Sequence, residues 1–370
     1  DLLSHFCIIK IKTIKMNTKM KKFATLLMIL FISNISYGQE IFSKIDSLLK
    51  SNYLKNTNIS ISAGFIDDDK DYFTSYGNLS RNGSIEVDKN SLFEIASITK
   101  ILTANLIAQA QIEGLLNVDD YIDAYLPKQY QLHKNLQEKI KISDLASHQS
   151  GLPDIDFRKL ISLNSQQPVS SVNEKSLSLL INETTELIDY GNPRYSTIGF
   201  ILLGQILENV YNKTYAFIFE EKMIQALNLK RTFTKDFNTT NRTTAYNPEG
   251  GIQEFFNWNV TAPAGLVKSS AADMIAYLKA VLETNTKIAK ASMLSENAFY
   301  SKNERNIGLW LSIIKDGENE FFFKTGDSMG QSSIIGYDRK NNWGIVLLIN
   351  QRDSKLIKGL FSEIYEIVKK

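Results

Sequence analysis

Ser97-Ile98-Thr99-Lys100 is the first stretch whose residue types and spacing suggest chemistry. Positions i and i+3 of a helix share a face, so the lysine amine can reach the serine hydroxyl. Such a lysine works as a base only where burial or a nearby positive charge keeps its amine neutral part of the time. The same pattern recurs at Ser47 to Lys50 and Ser312 to Lys315. The first of these falls on an exposed-looking amphipathic helix, and the second in a strand, where i and i+3 point to opposite faces. Only Ser97 opens a buried helix, whose terminal N–H groups also favour developing negative charge. A helix-capping serine with a chance lysine is the alternative for the tetrapeptide alone.

Two more groups stand downstream. Tyr195-Ser196-Thr197 opens a helix after Gly191-Asn192-Pro193, and Lys324-Thr325-Gly326 ends a strand. Singly, they read as a packed aromatic and a solvated strand lysine. Gly326-Asp327-Ser328-Met329-Gly330 matches G-x-S-x-G, yet that elbow needs a following helix and a later histidine. Here a strand follows and no histidine comes after His148, so the match reads as accidental. His148 lies in Ser147-His148-Gln149-Ser150-Gly151-Leu152-Pro153, a helix-stop pattern, and reads as structural. With histidines only at 5, 133 and 148 and no H-E-x-x-H, neither a metal nor a cofactor is expected.

The elements that must position these groups follow from hydrophobic period. Ile41 to Lys50 has helical spacing; Ile59 to Ile66 and Tyr72 to Tyr76 form a hairpin about Asp67-Asp68-Asp69. Ile95 to Glu113 is almost continuously apolar and stops at Gly114, which predicts a helix buried on most of its surface. Ser171 and Glu174 suggest a capping box for a helix through Leu180, and Ile198 to Val210 and Phe217 to Leu227 continue the helical pattern. Ile307 to Ile314, Glu320 to Lys324, Ser332 to Tyr337 and Trp343 to Ile349 then read as strands, and Ser354 to Val368 as a closing helix. The expected fold is α/β (α+β): an antiparallel sheet built from both chain ends with helices on both faces, plus an inserted all-helical lobe. The α/β lobe would cover about 39–96 and 255–370, and the helical lobe about 97–254.

Composition narrows the classes. The 370 residues are 43% hydrophobic and 22% charged, which excludes a disordered chain. Residues 1–38 carry six lysines and one acid, so the remainder, with 36 basic and 39 acidic side chains, has a formal charge of −3. That offers no footprint for nucleic acid. Met20-Lys21-Lys22, the apolar run Phe23 to Ile32 and Ser36-Tyr37-Gly38 read as a signal peptide cleaved before Gln39, with export to the periplasm or beyond. The run falls short of the about 20 apolar residues of a membrane span, although an uncleaved anchor is the alternative. Cleavage removes the sole cysteine, Cys7, and with it any disulfide or thiol nucleophile. The expected partner is a small-molecule or peptide substrate; the sequence does not set the oligomeric state.

In the order S-x-x-K, Tyr-x-Asn-like and Lys-Thr-Gly, the chain resembles the penicillin-recognising serine hydrolases, in the branch of class C β-lactamases, D-alanyl-D-alanine carboxypeptidases and related esterases. Flanks agree: Phe93 to Ala96, Ser147 to Pro153, Tyr195 to Gly204, Pro263 to Met274 and Lys324 to Asn350. The resemblance implies that Ser97 is acylated, that Lys100 takes its proton, and that Tyr195 is a partner base or relays a proton to the leaving group. It implies substrate contacts at Thr197, Lys324, Thr325, Gly326 and Asp327, with backbone N–H groups of Ser97 and Asp327 as the oxyanion hole. Lys324 would attract a substrate carboxylate and lower the pKa values of Lys100 and Tyr195.

Two positions depart from the family pattern. Thr197 replaces an asparagine and brings one hydroxyl in place of two amide N–H donors. Asp327 puts a carboxylate beside the oxyanion, where at about 4 Å it opposes that charge by about 4 kcal/mol at a surface-like dielectric. It must point away, pair with a base, or weaken binding of anionic substrates such as penicillins. Glu113-Gly114-Leu115-Leu116-Asn117 resembles the E-x-x-L-N of class A enzymes but precedes the Tyr motif and reads as chance. The expected activity is hydrolysis of a D-amino-acid peptide, β-lactam or small ester. The alternative is a slowly acylating penicillin-binding sensor, or a non-catalytic binding protein of the same fold.

Overall fold

The computed structural model describes residues 38–235, 237, 239–309 and 311–369. The signal peptide read in residues 1–38 therefore lies outside them except for Gly38. Asp1–Lys44 and Ile45–Lys370 form two units. In the first, the described residues 38–44 are helical, with Lys44 paired to Glu40 at 2.8 Å.

The second unit opens with helical residues 45–55 (α1), then the hairpin strands β1 (Ile61–Asp67) and β2 (Lys70–Tyr76). A short strand β3 (Phe93–Glu94) passes through a 3-10 turn (Ala96–Ile98) into α2 (Thr99–Ile112). The helices α3 (Ile142–Ala146), α4 (Phe157–Leu163), α5 (Glu174–Asn182), α6 (Thr197–Tyr211) and α7 (Tyr215–Phe219) follow. Next come β4 (Ala245–Tyr246), β5 (Ile252–Gln253), α8 (Ala262–Gly265), β6 (Lys268–Ser269), α9 (Ala271–Leu282) and α10 (Lys287–Ser295). The chain returns to the sheet as β7 (Tyr300–Lys302), β8 (Arg305–Ile307), β9 (Ser312–Asp316), β10 (Asn319–Asp327), β11 (Ser332–Asp338) and β12 (Trp343–Ile349), and closes with α11 (Ser354–Val368).

Eight strands form one sheet in the order β2-β1-β12-β11-β10-β9-β8-β7, and its neighbours are antiparallel. Every residue of β1, β11 and β12 is buried, as expected of central strands covered on both faces. Glycines mark where the helices press closest. A Cβ on Gly64 would sit 2.4 Å from Ile275 of α9, and one on Gly344 would sit 3.0 Å from Leu278. On the opposite face, a Cβ on Gly336 would lie 2.7 Å from Phe361 of α11. The sheet built from both chain ends, with helices on both faces, matches the expectation from sequence.

Local departures have local causes. The start of α5 is set by Asn173, whose side chain accepts from Ser176 N at 3.0 Å, while Ser171 ends a 3-10 turn opened by Pro168. The capping box thus lies two residues beyond the expected Ser171–Glu174 pair. The Ile307 to Ile314 strand is broken because Leu309 N bonds to Ser295 O at 2.9 Å, which pulls the chain out of the ladder at the end of α10. The helical run from Phe217 changes hydrogen-bond period: α7 passes into a π-helical segment over Glu220–Gln225.

Helix α2 is buried from Thr99 to Ala110, and each fully buried Leu or Ile there contributes about 1.5–3 kcal/mol. Across it, α6 meets α8 at Gly204, where a Cβ would lie 2.1 Å from Pro263 Cγ. Gly204→Ala is therefore expected to cost about 1–3 kcal/mol in urea unfolding. Gly359→Ala, in α11 where a new Cβ meets nothing within 4 Å, should instead gain about 0.5–1 kcal/mol. Equal effects of the two substitutions would contradict this packing.

Candidate active site

The turn that carries Ser97 is held from three sides. Strand β3 pairs with β6, Phe93 opposite Ser269 and Glu94 opposite Lys268, and Ile95 N continues the contact to Val267 O at 3.2 Å. Ala96 then adopts φ +45°, a left-handed conformation that costs an alanine about 1 kcal/mol. From the third side comes the end of β10. A Cβ on Gly326 would lie 2.3 Å from Ile95 O and 3.0 Å from Ser97 N, so only glycine lets this strand approach. The Ser333 hydroxyl locks the contact by bonding Ile95 O (2.9 Å) and Gly326 O (3.2 Å).

Within this frame the three expected groups meet. Ser97 Oγ lies 2.7 Å from the Tyr195 hydroxyl, and Lys100 Nζ lies 3.2 Å from Ser97 Oγ and 3.0 Å from the Tyr195 hydroxyl. Lys100 also donates to the Ala264 carbonyl of α8. Lys100 is 1% exposed, and burial pulls its pKa down to about 7 against the opposing pull of Asp154. Tyr195 keeps about half its surface exposed (51%), but its hydroxyl end lies between Ser97 and Lys100. Burial of that end pushes its pKa up to about 12; the Ser97 hydrogen bond works against the rise, while Asp154 and Asp327 add to it. The net Tyr195 shift thus runs opposite to the lowering expected from Lys324, and its largest cause is desolvation. For Lys100 the downward shift stands, and its cause is burial.

Tyr195 is aimed by the start of α6. Ser196 caps the helix through Gly199 N at 3.1 Å, and the Asp154 carboxylate accepts from Thr197 N at 2.8 Å and from Ile198 N at 2.9 Å. His148, left-handed at φ +66° just past α3, accepts from Ser196 N through Nδ1 at 3.1 Å, and its ring stacks on Tyr195 with centroids 5.1 Å apart. Burial, then Lys100, Lys324 and Arg305, drive its pKa well below the usual value and keep it neutral. The helix-stop reading holds, and the ring also supports Tyr195. Sequence reasoning missed Asp154. It stands 43 residues before Thr197, and no local spacing rule links a carboxylate to a helix start that far away.

Of the β10 candidates, Gly326 packs against the Ser97 turn and Lys324 and Asp327 line the cavities beside it, whereas Thr325 lines neither cavity and lies instead in the groove between β10 and α11. Strand β9 pairs with β10 only from Asn319 to Phe323, so among the described strands none continues that ladder alongside Lys324–Asp327. Lys324 Nζ lies 5.9 Å from the Tyr195 ring centre. Burial and then the Lys100 charge bring its pKa down to about 7. The Asp327 carboxylate accepts from the Ser332 hydroxyl, which itself accepts from Asp353 N at 3.0 Å. The partner of Asp327 is therefore a hydroxyl rather than the base that the sequence left open, and the residue still lines the cavity that contains Ser97.

Two cavities meet at Tyr195. One, of about 250 Å³, contains Ser97, Lys100, Thr197 and Asp327; the other, of about 290 Å³, contains His148, Arg305 and Lys324. The remaining sequence candidates lie elsewhere or are tied up in structure. Ser47 and Lys50 are exposed on α1, and Ser312 and Lys315 stand on β9. Ser328 is buried, accepts from Gln331 N at 3.1 Å and is followed by β11. It also bonds the buried Glu94, which accepts from Phe256 N at 2.7 Å and faces Lys268, so it serves the frame under Ser97. Glu113 pairs with Lys222 and Lys287, both at 2.8 Å, away from the cavities.

Comparison with known proteins adds the family. Protein flp of Staphylococcus aureus (strain MW2) is 25% identical over 309 residues, which cover 78% of this chain and only 59% of that relative's length. A class C beta-lactamase of known structure superposes with a TM-score of 0.79 at 20% identity, covering 90% of this chain and 97% of the other. A beta-lactamase/D-alanine carboxypeptidase from Pseudomonas syringae superposes at 0.78 with 19% identity, covering 90% and 100%. At such identities the structural likeness establishes a shared fold. A family model described as Beta-lactamase matches residues 51–359, a span that includes Ser97, Tyr195 and Lys324, and the chain belongs to the beta-lactamase family.

Proposed function

We propose that the chain is an exported serine hydrolase that opens amide or ester bonds through an acyl-Ser97 intermediate. The observation that carries this reading is the contact among the Ser97 hydroxyl, the Lys100 amine and the Tyr195 phenol, all within 3.2 Å at the floor of an open cavity. D-amino-acid peptides, β-lactams and small esters are the candidate substrates. Export rests on the basic and apolar leader before Gln39.

Ser97 Oγ attacks the carbonyl carbon, and its proton passes to the neutral Lys100 amine, directly or across the Tyr195 hydroxyl. The oxyanion that forms is met by the backbone N–H groups of Ser97 and Asp327, each donor contributing about 3 kcal/mol. Collapse breaks the bond to the amine or alkoxide, which leaves with a proton from Tyr195 that Lys100 replaces. Water then attacks the acyl carbon, returns its proton through the same pair, and releases a carboxylic acid and free Ser97. The opposite displacement of the two pKa values, Lys100 to about 7 and Tyr195 to about 12, supports the lysine as base and the phenol as a neutral relay. Asp327 favours a second reading, because a carboxylate beside the oxyanion slows each chemical step; the protein would then hold its acyl group as a sensor.

An intact-mass time course with p-nitrophenyl acetate and with benzylpenicillin, run beside Ser97→Ala, tests the function. An adduct on the wild type that the mutant lacks is expected with at least one compound, and its lifetime separates turnover from sensing. No adduct and no hydrolysis with either would contradict the proposal. Tyr195→Phe should lower kcat/KM for a turned-over ester about 10²–10⁴-fold while leaving the fold intact by circular dichroism. An unchanged rate removes Tyr195 from the chemistry.

The pH profile follows from the two lysines. Lys100 acts only when neutral, so kcat/KM for an uncharged ester should rise with pH through about 7 and then level. Lys324 holds an anion only when protonated, so a succinate half-ester should show a bell that falls again above about 7. Asp154→Asn removes the charge that favours the Lys100 ammonium, and the rising limb should move to lower pH. A limb near pH 10 for the uncharged ester would contradict the assignment.

A further inference from the structure

The cavity beside Ser97 says more about the substrate than the reacting groups do. Beyond the reacting groups and Thr197, most of its wall is apolar, with Phe157, Ile161, Val169, Phe256, Leu266 and Met329, and the charged Asp327 and Arg352 stand at it as well. Phe157 and Ile161 lie one helical turn apart on α4, so they present one apolar face, and both are half-buried because that face borders the open cavity. Among the described residues, neither asparagine nor glutamine lines it. Two of its hydroxyls are already engaged: Thr261 donates to Asn259 Oδ1 at 2.7 Å, and Ser328 accepts backbone N–H bonds and contacts Glu94, so beside the reacting groups Thr197 offers a single hydroxyl in place of an amide. The volume of about 250 Å³ exceeds the roughly 150 Å³ apolar cavity that accommodates benzene.

We propose, on the hydrolase reading above, that this cavity receives the acyl part of the substrate and selects acyl groups that are apolar next to the scissile carbonyl, carrying no α-acylamino group. Each methylene placed against the Phe157–Ile161 face gains about fourfold in binding. An acylamino group brings a carbonyl and an N–H that lose water, and no side-chain amide replaces it, which costs about tenfold for each polar group left unpaired. The preferred substrates are therefore esters or amides of branched aliphatic or arylalkyl carboxylic acids. N-acylated D-amino-acid peptides and penicillins, which carry the acylamino group, fall behind them.

Two p-nitrophenyl esters of matched shape, the 4-methylpentanoate and the N-acetylglycinate, test this, each rate corrected for its reaction with hydroxide. The apolar ester should show at least tenfold higher kcat/KM, and Ile161→Asn should lower that ratio at least fivefold. A ratio at or below one overturns the proposal, as does a ratio that Ile161→Asn leaves unchanged. Arg352 lines the same cavity beside Met329. A preference for the N-acetylglycinate that disappears in Arg352→Met would assign amide recognition to the arginine and likewise overturn the proposal. If neither ester is turned over and Ser97 takes no label, the hydrolase reading fails, and the pocket is then read by calorimetry with the two corresponding primary amides on Ser97→Ala. Tighter binding of 4-methylpentanamide supports the pocket, and equal or weaker binding overturns it.

Discussion

Burial of the Lys100 amine is the condition on which the site depends. An ammonium with its usual pKa holds its protons at neutral pH and cannot take one from serine. Helix α2 removes that obstacle by being buried on all sides, so the amine sits among Ala264, Tyr195 and Ser97 with almost no water around it. Desolvation disfavours the charge, and the counter-pull of Asp154 stops the pKa at about 7 rather than lower. The same dry surroundings push Tyr195 the other way. One physical cause thus moves the pKa values of the proposed base and the proposed relay in opposite directions.

Distance is the second constraint. The proposed oxyanion donors are the N–H groups of residues 97 and 327, and β10 reaches the turn before α2 at Gly326, beside Ile95 O and Ser97 N. Gly326 permits that approach, Ser333 ties both backbones, and Ala96 holds the left-handed bend. Glu94 extends the tie through Phe256 N and Ser328 to the segments on either side of the cavity. The large antiparallel sheet serves this geometry, because it fixes the last strands of the chain relative to the first helix that follows the hairpin.

Legibility from sequence follows the range of the interaction. The Ser97–Lys100 pair is legible because only three positions separate the two residues along a 3-10 turn that runs into α2, and burial of α2 shows in its continuous apolar run. Ser354–Val368 is legible to the residue from its strong helical spacing, and Trp343–Ile349 from its unbroken apolar run directly after the polar turn at residues 340–342. The strands β3 and β6 are not, because two residues carry no period; they exist through pairing with each other. Asp154 was invisible for the same reason, its partners lying on a distant helix start. The direction of the Tyr195 shift was misjudged because charge can be counted along a sequence, whereas desolvation needs the surrounding packing.

The central claim is that Lys100 is substantially neutral at physiological pH. Heteronuclear NMR of the protein with 15N-labelled lysine, followed through a pH titration, reads this directly when the Lys100 signal is assigned by its loss in Lys100→Met and its retention in Lys324→Met. The account requires that signal to titrate near pH 7. A Lys100 signal that remains an ammonium up to about pH 10, the ordinary lysine range, would contradict it.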